Sequence, residues 1–158
     1  MTVLENQIRI AAPPEKVWTV LASLEALAAY DPGVSRSEIV SEARQGLGAA
    51  RKCELAPGGW FKERVAAWRP NEALSFELYE CTLPLRALRH SYTLVPDAGG
   101  TVVSQRMEYR LKFGPLGKLL DAMVVRKRWN AGIRGFFSGL KRYVESGGGA
   151  GPGDVSAP

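Results

Sequence analysis

The stretch "TVVSQRMEYRLKFGPLGKLLDAMVVRKRWNAGIRGFFSGLKRYVE", residues 101–145, decides the fold. In its first part Val103, Gln105, Met107, Tyr109, Leu111 and Phe113 share one parity. Val102, Ser104, Arg106, Glu108, Arg110 and Lys112 share the other. That alternation predicts a strand with one covered and one wet face. Gly114-Pro115 stops it, and residues 116–145 read as one long helix. At about 100° per residue, Leu116, Leu119, Leu120, Met123 and Val124 cluster on one face. Trp129, Ile133, Phe136, Phe137, Leu140, Tyr143 and Val144 form a second cluster. On a straight helix the two are rotated apart by something over ~90°. The expectation is a bend, or a change of burial face, between Val125 and Asn130. The second half is the natural core helix, with Lys127, Arg134 and Lys141 in one solvated row. Gly132, Gly135 and Gly139 are poor helix formers and are expected to permit close approach of the sheet or a ligand. The greasy first half has three placements open to it: a lid or core element, which is the commonest, a patch touching a membrane, or a dimer contact.

Working outward, residues 3–10 alternate as a strand, and Pro13-Pro14-Glu15 suits the first turn of a helix. Val17, Trp18, Leu21 and Leu24 continue at helical spacing, and Asp31-Pro32-Gly33 ends the helical region. From Val34 to Lys112, short strand-like stretches are separated by turn signals such as Pro57-Gly58-Gly59, Arg69-Pro70-Asn71 and Pro96–Gly100. The reading is an α+β domain over residues 1–145. A curved antiparallel sheet of about seven strands wraps around the long C-terminal helix, with one or two short helices after the first strand. The apolar face of the sheet and the stripe of the helix are each other's best partner. Residues 146–158, rich in glycine and proline, are expected to form a disordered tail.

Composition narrows the function. With 158 residues, 46% hydrophobic and 23% charged, the chain fits one globular domain. No apolar run is long enough to span a membrane, and "MTVLENQIRI" lacks the features of a signal peptide, so a cytoplasmic location is expected. Two cysteines, Cys53 and Cys81, and one histidine, His90, argue against a metal site or disulfide framework; no metal and no cofactor are expected. The net charge of +5 is modest. No Gly-x-Ser-x-Gly elbow and no phosphate-binding loop is present.

Five segments together carry a family resemblance: "IRIAAPPEKVWTVLASLEALAAYDPGV" (8–34), "GLGAARKCEL" (46–55), "ERVAAWRPNEALSFEL" (63–78), "GGTVVSQRMEY" (99–109) and "FGPLGKLLDAMVV" (113–125). In this order they resemble the START-like superfamily, the helix-grip proteins of polyketide cyclase/dehydrase and lipid-transport type. Tyr30 stands where a Trp is common before the Asp-Pro. The resemblance implies a cavity between the long helix and the concave sheet, in which members hold lipids, sterols, polyketides, quinones or other apolar molecules. Some members are aromatases or cyclases, and the superfamily has no universal catalytic motif. Its fold offers no groove-reading helix, so nucleic acid is not an expected partner.

Two functions follow as expectations. One is binding of a small apolar ligand in that cavity, with transient contact at a membrane surface left open, as is the choice between monomer and dimer. The other is a cyclase, aromatase or dehydratase using one acid/base group, for which His90, Tyr92 and Glu63 are the candidates. Candidate ligand-contacting residues are Trp60, Tyr79, His90, Tyr92, Gln105, Met107, Tyr109, Leu119 and Met123. His90 and Tyr92 contribute only if that parity of Leu85–Val95 points inward, and either facing is open. Arg51 and Glu63 sit on strands that look adjacent; an exposed cross-strand ion pair of little energetic weight is expected, a buried pair being the alternative.

Overall fold

The computed structural model describes residues 1–148. Strand β1 (Thr2–Ile10) leads into α1 (Pro14–Leu21) and a single-turn α2 (Leu27–Tyr30). Six strands follow: β2 (Val34–Ile39), β3 (Ala50–Leu55), β4 (Trp60–Arg69), β5 (Ala73–Cys81), β6 (Leu85–Asp97) and β7 (Gly100–Leu111). The chain then runs through α3 (Gly114–Leu120), a π-helical segment (Asp121–Val125) and α4 (Arg126–Glu145). The expectation of a tail over 146–158 falls mostly on residues 149–158, outside the described residues.

All strand pairings are antiparallel, in the order β1-β7-β6-β5-β4-β3-β2. Consecutive strands are neighbours, and β1 closes on the far side of β7. Register shifts interrupt β4 twice, at Lys62/Glu63 and Val65/Ala67, and β6 at Leu85/Ala87. Such bulges add local twist and bend a strand, curving the sheet around a helix. Alternation follows the sequence pattern: Val103, Gln105, Met107 and Tyr109 are buried on β7, while Leu88, His90, Tyr92 and Leu94 are buried on β6. The facing of β6 is thereby settled inward.

Pro14 opens α1, which buries Val17, Trp18, Val20 and Leu21. Trp18 meets Trp68 edge-on, 5.0 Å between ring centroids. The Asp31 carboxylate accepts from the Gly33 N–H at 2.9 Å, setting the turn after α2.

The long helix departs from the expectation. It is distorted, with the Arg126 N–H reaching back five residues to the Asp121 carbonyl, but its buried face does not change. Gly117, Asp121, Ile133, Phe136, Phe137, Leu140 and Val144 are buried, with Val125 and Trp129 half-buried between them. A four-residue repeat drifts by about 40° per step on an α-helix; the wider π turn takes back part of that drift and helps keep 117, 121, 125, 129 and 133 covered. The first apolar cluster is therefore left on the outside: Leu116, Leu119, Leu120, Met123 and Val124 are all exposed. The glycines also serve a different contact. A Cβ at Gly139 would lie 1.8 Å from the Tyr30 carbonyl oxygen, and one at Gly135 would lie 3.3 Å from Pro32. Gly135 and Gly139 admit α2 and the Asp-Pro turn rather than the sheet, and a Cβ at Gly132 would meet nothing within 4 Å.

Candidate functional site

Three strands converge on one carboxylate. Arg51 on β3 and Glu63 on β4 are direct cross-strand partners, and the register shift between Lys62 and Glu63 leaves Tyr79 of β5 as the extra residue opposite them. The Arg51 Nε donates to Glu63 Oε1 at 2.8 Å, and its Nη2 lies 2.7 Å from the same oxygen. Glu63 Oε2 takes His90 Nε2 of β6 at 2.6 Å. Phe76, on the intervening β5, supports both partners: it stacks on His90 at 5.1 Å and carries the Arg51 guanidinium 4.3 Å from its ring centroid. The side chains of Arg51, Glu63 and His90 are 4%, 1% and 8% exposed. This corrects the expectation of an exposed, weak pair. The curvature of the sheet folds the charge-bearing parity inward, so the pair is sealed from water.

Burial alone would push the Glu63 carboxyl up; His90 and Arg51 outweigh it and hold the group down at about 2. Glu63 is thus an anion at neutral pH. For Arg51, burial disfavours the cation but Glu63 restores it, and the guanidinium titrates above its ordinary range. Burial pushes the Cys53 thiol up to about 11, so it is not a thiolate nucleophile for His90.

Beyond the triad, the His90 ring meets Tyr92 edge-on at 5.5 Å. The Tyr92 hydroxyl accepts from Gln105 Nε2 at 3.0 Å and keeps its own proton to donate. Burial drives that phenol well above its usual range. Two buried atoms beside these contacts have no hydrogen-bonding partner: His90 Nδ1 and Gln105 Oε1. Gln105 Oε1 is an acceptor; with Nε2–H given to Glu63, His90 Nδ1 accepts in the neutral ring and donates in the imidazolium. Tyr92, Phe136 and Tyr30 pack in sequence over this region, with ring centroids 5.6 and 5.7 Å apart.

A second buried carboxylate lies at the start of the gripping helix. Asp121 accepts from the Tyr109 hydroxyl and from Thr2 Oγ1, the latter at 2.6 Å, with Arg126 Nη2 at 3.5 Å. Trp129 stacks on Tyr109 at 5.6 Å. Tyr109 therefore faces inward as expected, but its hydroxyl ties the helix to β7.

Of the other candidates, Met107 is buried on the concave face. Four lie elsewhere, and the structure corrects their placement. Tyr79 is exposed on the convex face under the Arg64 guanidinium, 4.9 Å from its ring. Trp60 shares that face with Lys52 and Lys62, at 4.9 and 5.3 Å. Trp60 has the parity opposite to Glu63 on β4, and Tyr79 the parity opposite to Phe76 on β5, which keeps both out of the concave wall. Leu119 and Met123 stand on the outer face of the helix because Gly117 and Asp121 take the inner one. The sequence reading missed Phe76 and Asp121. Phe76 carries the inward parity of β5 with Leu74. Asp121 was visible as the one carboxylate within an apolar helical run. Among the described residues, no group of three His, Cys, Asp or Glu side chains is placed to hold a metal ion, and no helix is long and apolar enough to cross a membrane.

A seven-stranded antiparallel sheet gripping one long helix defines the helix-grip class. The chain belongs to the polyketide cyclase/dehydrase and lipid transport family, whose pattern matches residues 1–145. It is 26% identical over 145 residues to an uncharacterised protein of Mycobacterium tuberculosis, covering 91% of this chain and 85% of that one. Among solved structures, a Thermus thermophilus protein aligns with a TM-score of 0.79 at 23% identity, over 92% of this chain and 98% of that one. A START superfamily protein of Mycobacterium smegmatis gives 0.76 at 15%, over 91% and 97%. Norcoclaurine synthase of Thalictrum flavum gives 0.69 at 18%, over 91% and 86%. At these identities the structural likenesses establish the fold.

Proposed function

We propose that this protein binds a small, mostly apolar molecule with one polar end, held between α4 and the concave sheet. One observation carries the reading: His90 Nδ1 and Gln105 Oε1 are buried polar atoms without a hydrogen-bonding partner, and the same Gln105 side chain bonds the Tyr92 hydroxyl through its Nε2. A buried polar atom left unmade costs about 1–3 kcal/mol, so a ligand hydroxyl or N–H donated there recovers real free energy. Phe76 stacks on His90, Phe136 packs on Tyr92 and Met107 is the cross-strand partner of His90, an apolar setting that suits the rest of such a molecule. Tyr30, Tyr92 and Phe136 pack over the region, so admission of a ligand requires them to move. The ligand-binding character of the family supports the assignment. A cytoplasmic setting is part of the reading, since both cysteines are free thiols. The test is organic extraction of the purified protein, with mass spectrometry of what is released, for the wild type and for His90→Phe with Gln105→Leu. A polar-ended apolar molecule should accompany the wild type and be depleted in the double variant. Equal recovery from both, or none from either, overturns the reading.

The Arg51–Glu63–His90 arrangement favours a second reading, a cyclase or dehydratase of polyketide-like substrates. A carboxylate that fixes one imidazole nitrogen leaves the other oriented to take a proton. In that reading His90 Nδ1 is the base, Glu63 stabilises the imidazolium, and the Tyr92 O–H donates to a substrate oxygen. His90→Gln should then abolish turnover while ligand is still retained; retained turnover excludes it.

A further inference from the structure

The outer face of the helix start is unusual for a surface. Phe113, Leu116, Leu119, Leu120, Met123 and Val124 are each between 42% and 64% exposed, and the helical members recur at spacings of three and four, so they share one face. The other large exposed apolar side chains, such as Val3, Val40, Leu47 and Val95, are scattered over separate elements. A contiguous exposed apolar face marks a site of interaction.

Charge decides what covers it. Lys112 and Lys118 flank its beginning, and Arg126, Lys127 and Arg128 close its end, all exposed. The helical region from Gly114 to Glu145 holds seven Lys/Arg and two carboxylates, the buried Asp121 and Glu145. The remainder of the chain holds fourteen Lys/Arg against fourteen Asp/Glu. The cationic excess of the protein is thus concentrated on the element that carries the apolar face. A second copy of the chain laid on this face would set these cations against one another, whereas an anionic lipid surface satisfies both features at once. We propose that the α3–π-helical face docks onto an anionic bilayer, with Leu116, Leu119, Leu120, Met123 and Val124 entering the interface and the flanking Lys/Arg side chains meeting lipid headgroups. The geometry is that of an in-plane amphipathic helix, with apolar area and electrostatic attraction acting together.

The experiment is co-sedimentation of the full chain with phosphatidylcholine vesicles, with and without phosphatidylserine. Binding is expected with phosphatidylserine only, and should weaken as salt is added. Removing a cation near an anionic surface lowers affinity about fivefold, so Lys127→Gln with Arg128→Gln should lower it by roughly twentyfold or more. Leu119→Gln with Met123→Gln should also reduce binding, with an unchanged circular dichroism spectrum because both side chains are already exposed. The proposal is overturned by absence of binding to phosphatidylserine vesicles, or by binding that neither pair affects. A dimer seen by analytical ultracentrifugation that Leu119→Gln with Met123→Gln dissolves, without vesicle binding, assigns the face to a second copy instead.

Discussion

Glu63 and Asp121 are both carboxylates in the core, and they are held in opposite ways. Glu63 sits mid-sheet between two groups able to carry positive charge, Arg51 and His90, with an aromatic ring packed on each. Asp121 sits on a helix and is held chiefly by two hydroxyls, Tyr109 and Thr2, with a half-exposed Arg126 further off. The first is a sealed charge cluster in which loss of Glu63 leaves the Arg51 guanidinium buried without its counter-charge. The second is a hydrogen-bonded tether joining a distorted helix to β1 and β7. The Glu63 cluster is suited to presenting an oriented imidazole, and the Asp121 tether to fixing where the helix crosses the sheet.

The strongest way to break this contrast is Glu63→Gln. It leaves Arg51 buried without its counter-charge, and a loss of about 3–5 kcal/mol is expected, measured by urea denaturation near neutral pH. A loss below 1 kcal/mol would place Arg51 in contact with water after all.

Acid removes the same interaction gradually. The folded Glu63 titrates at about 2, below its ordinary 4.5. Its stabilising contribution is therefore complete above about 4.5 and lost as pH falls toward about 2. The stability gap between wild type and Glu63→Gln should narrow across that window; a constant gap would show that ionisation of Glu63 is not what separates them.

Asp121→Asn sharpens the other side and carries the smallest effect. The amide can still accept from one hydroxyl, and the Arg126 contact is largely solvated, so about 1 kcal/mol is expected by the same denaturation. A loss as large as that of Glu63→Gln would make the two sites equivalent.

Much of the architecture was legible because it depends on periodicity. The parity of β7, the Pro14 helix start, the turns between strands and the covered face of α4 each follow from where apolar side chains recur. His90, Tyr92, Gln105, Met107 and Glu63 were legible as candidates for the same reason, being polar or adaptable residues on or near apolar parities. Trp60 and Tyr79 misled because aromatic residues suit either face of a strand. Leu119 and Met123 misled because an apolar cluster on a helix ordinarily signals the core.

The sequence by itself determined the order of elements, the inward parity of β7 and the class of fold, since local spacing alone specifies these. Only the tertiary structure decided that Arg51, Glu63 and His90, from three different strands, meet at one carboxylate. Strand register and bulges place them there, and neither is written in the spacing of any one segment. Tertiary structure likewise decided which side of the helix start is buried. A π turn and a single hydrogen-bonded side chain, Asp121, turn the five apolar side chains outward, because satisfying a buried polar group and fitting Gly117 against β7 outweighed covering them.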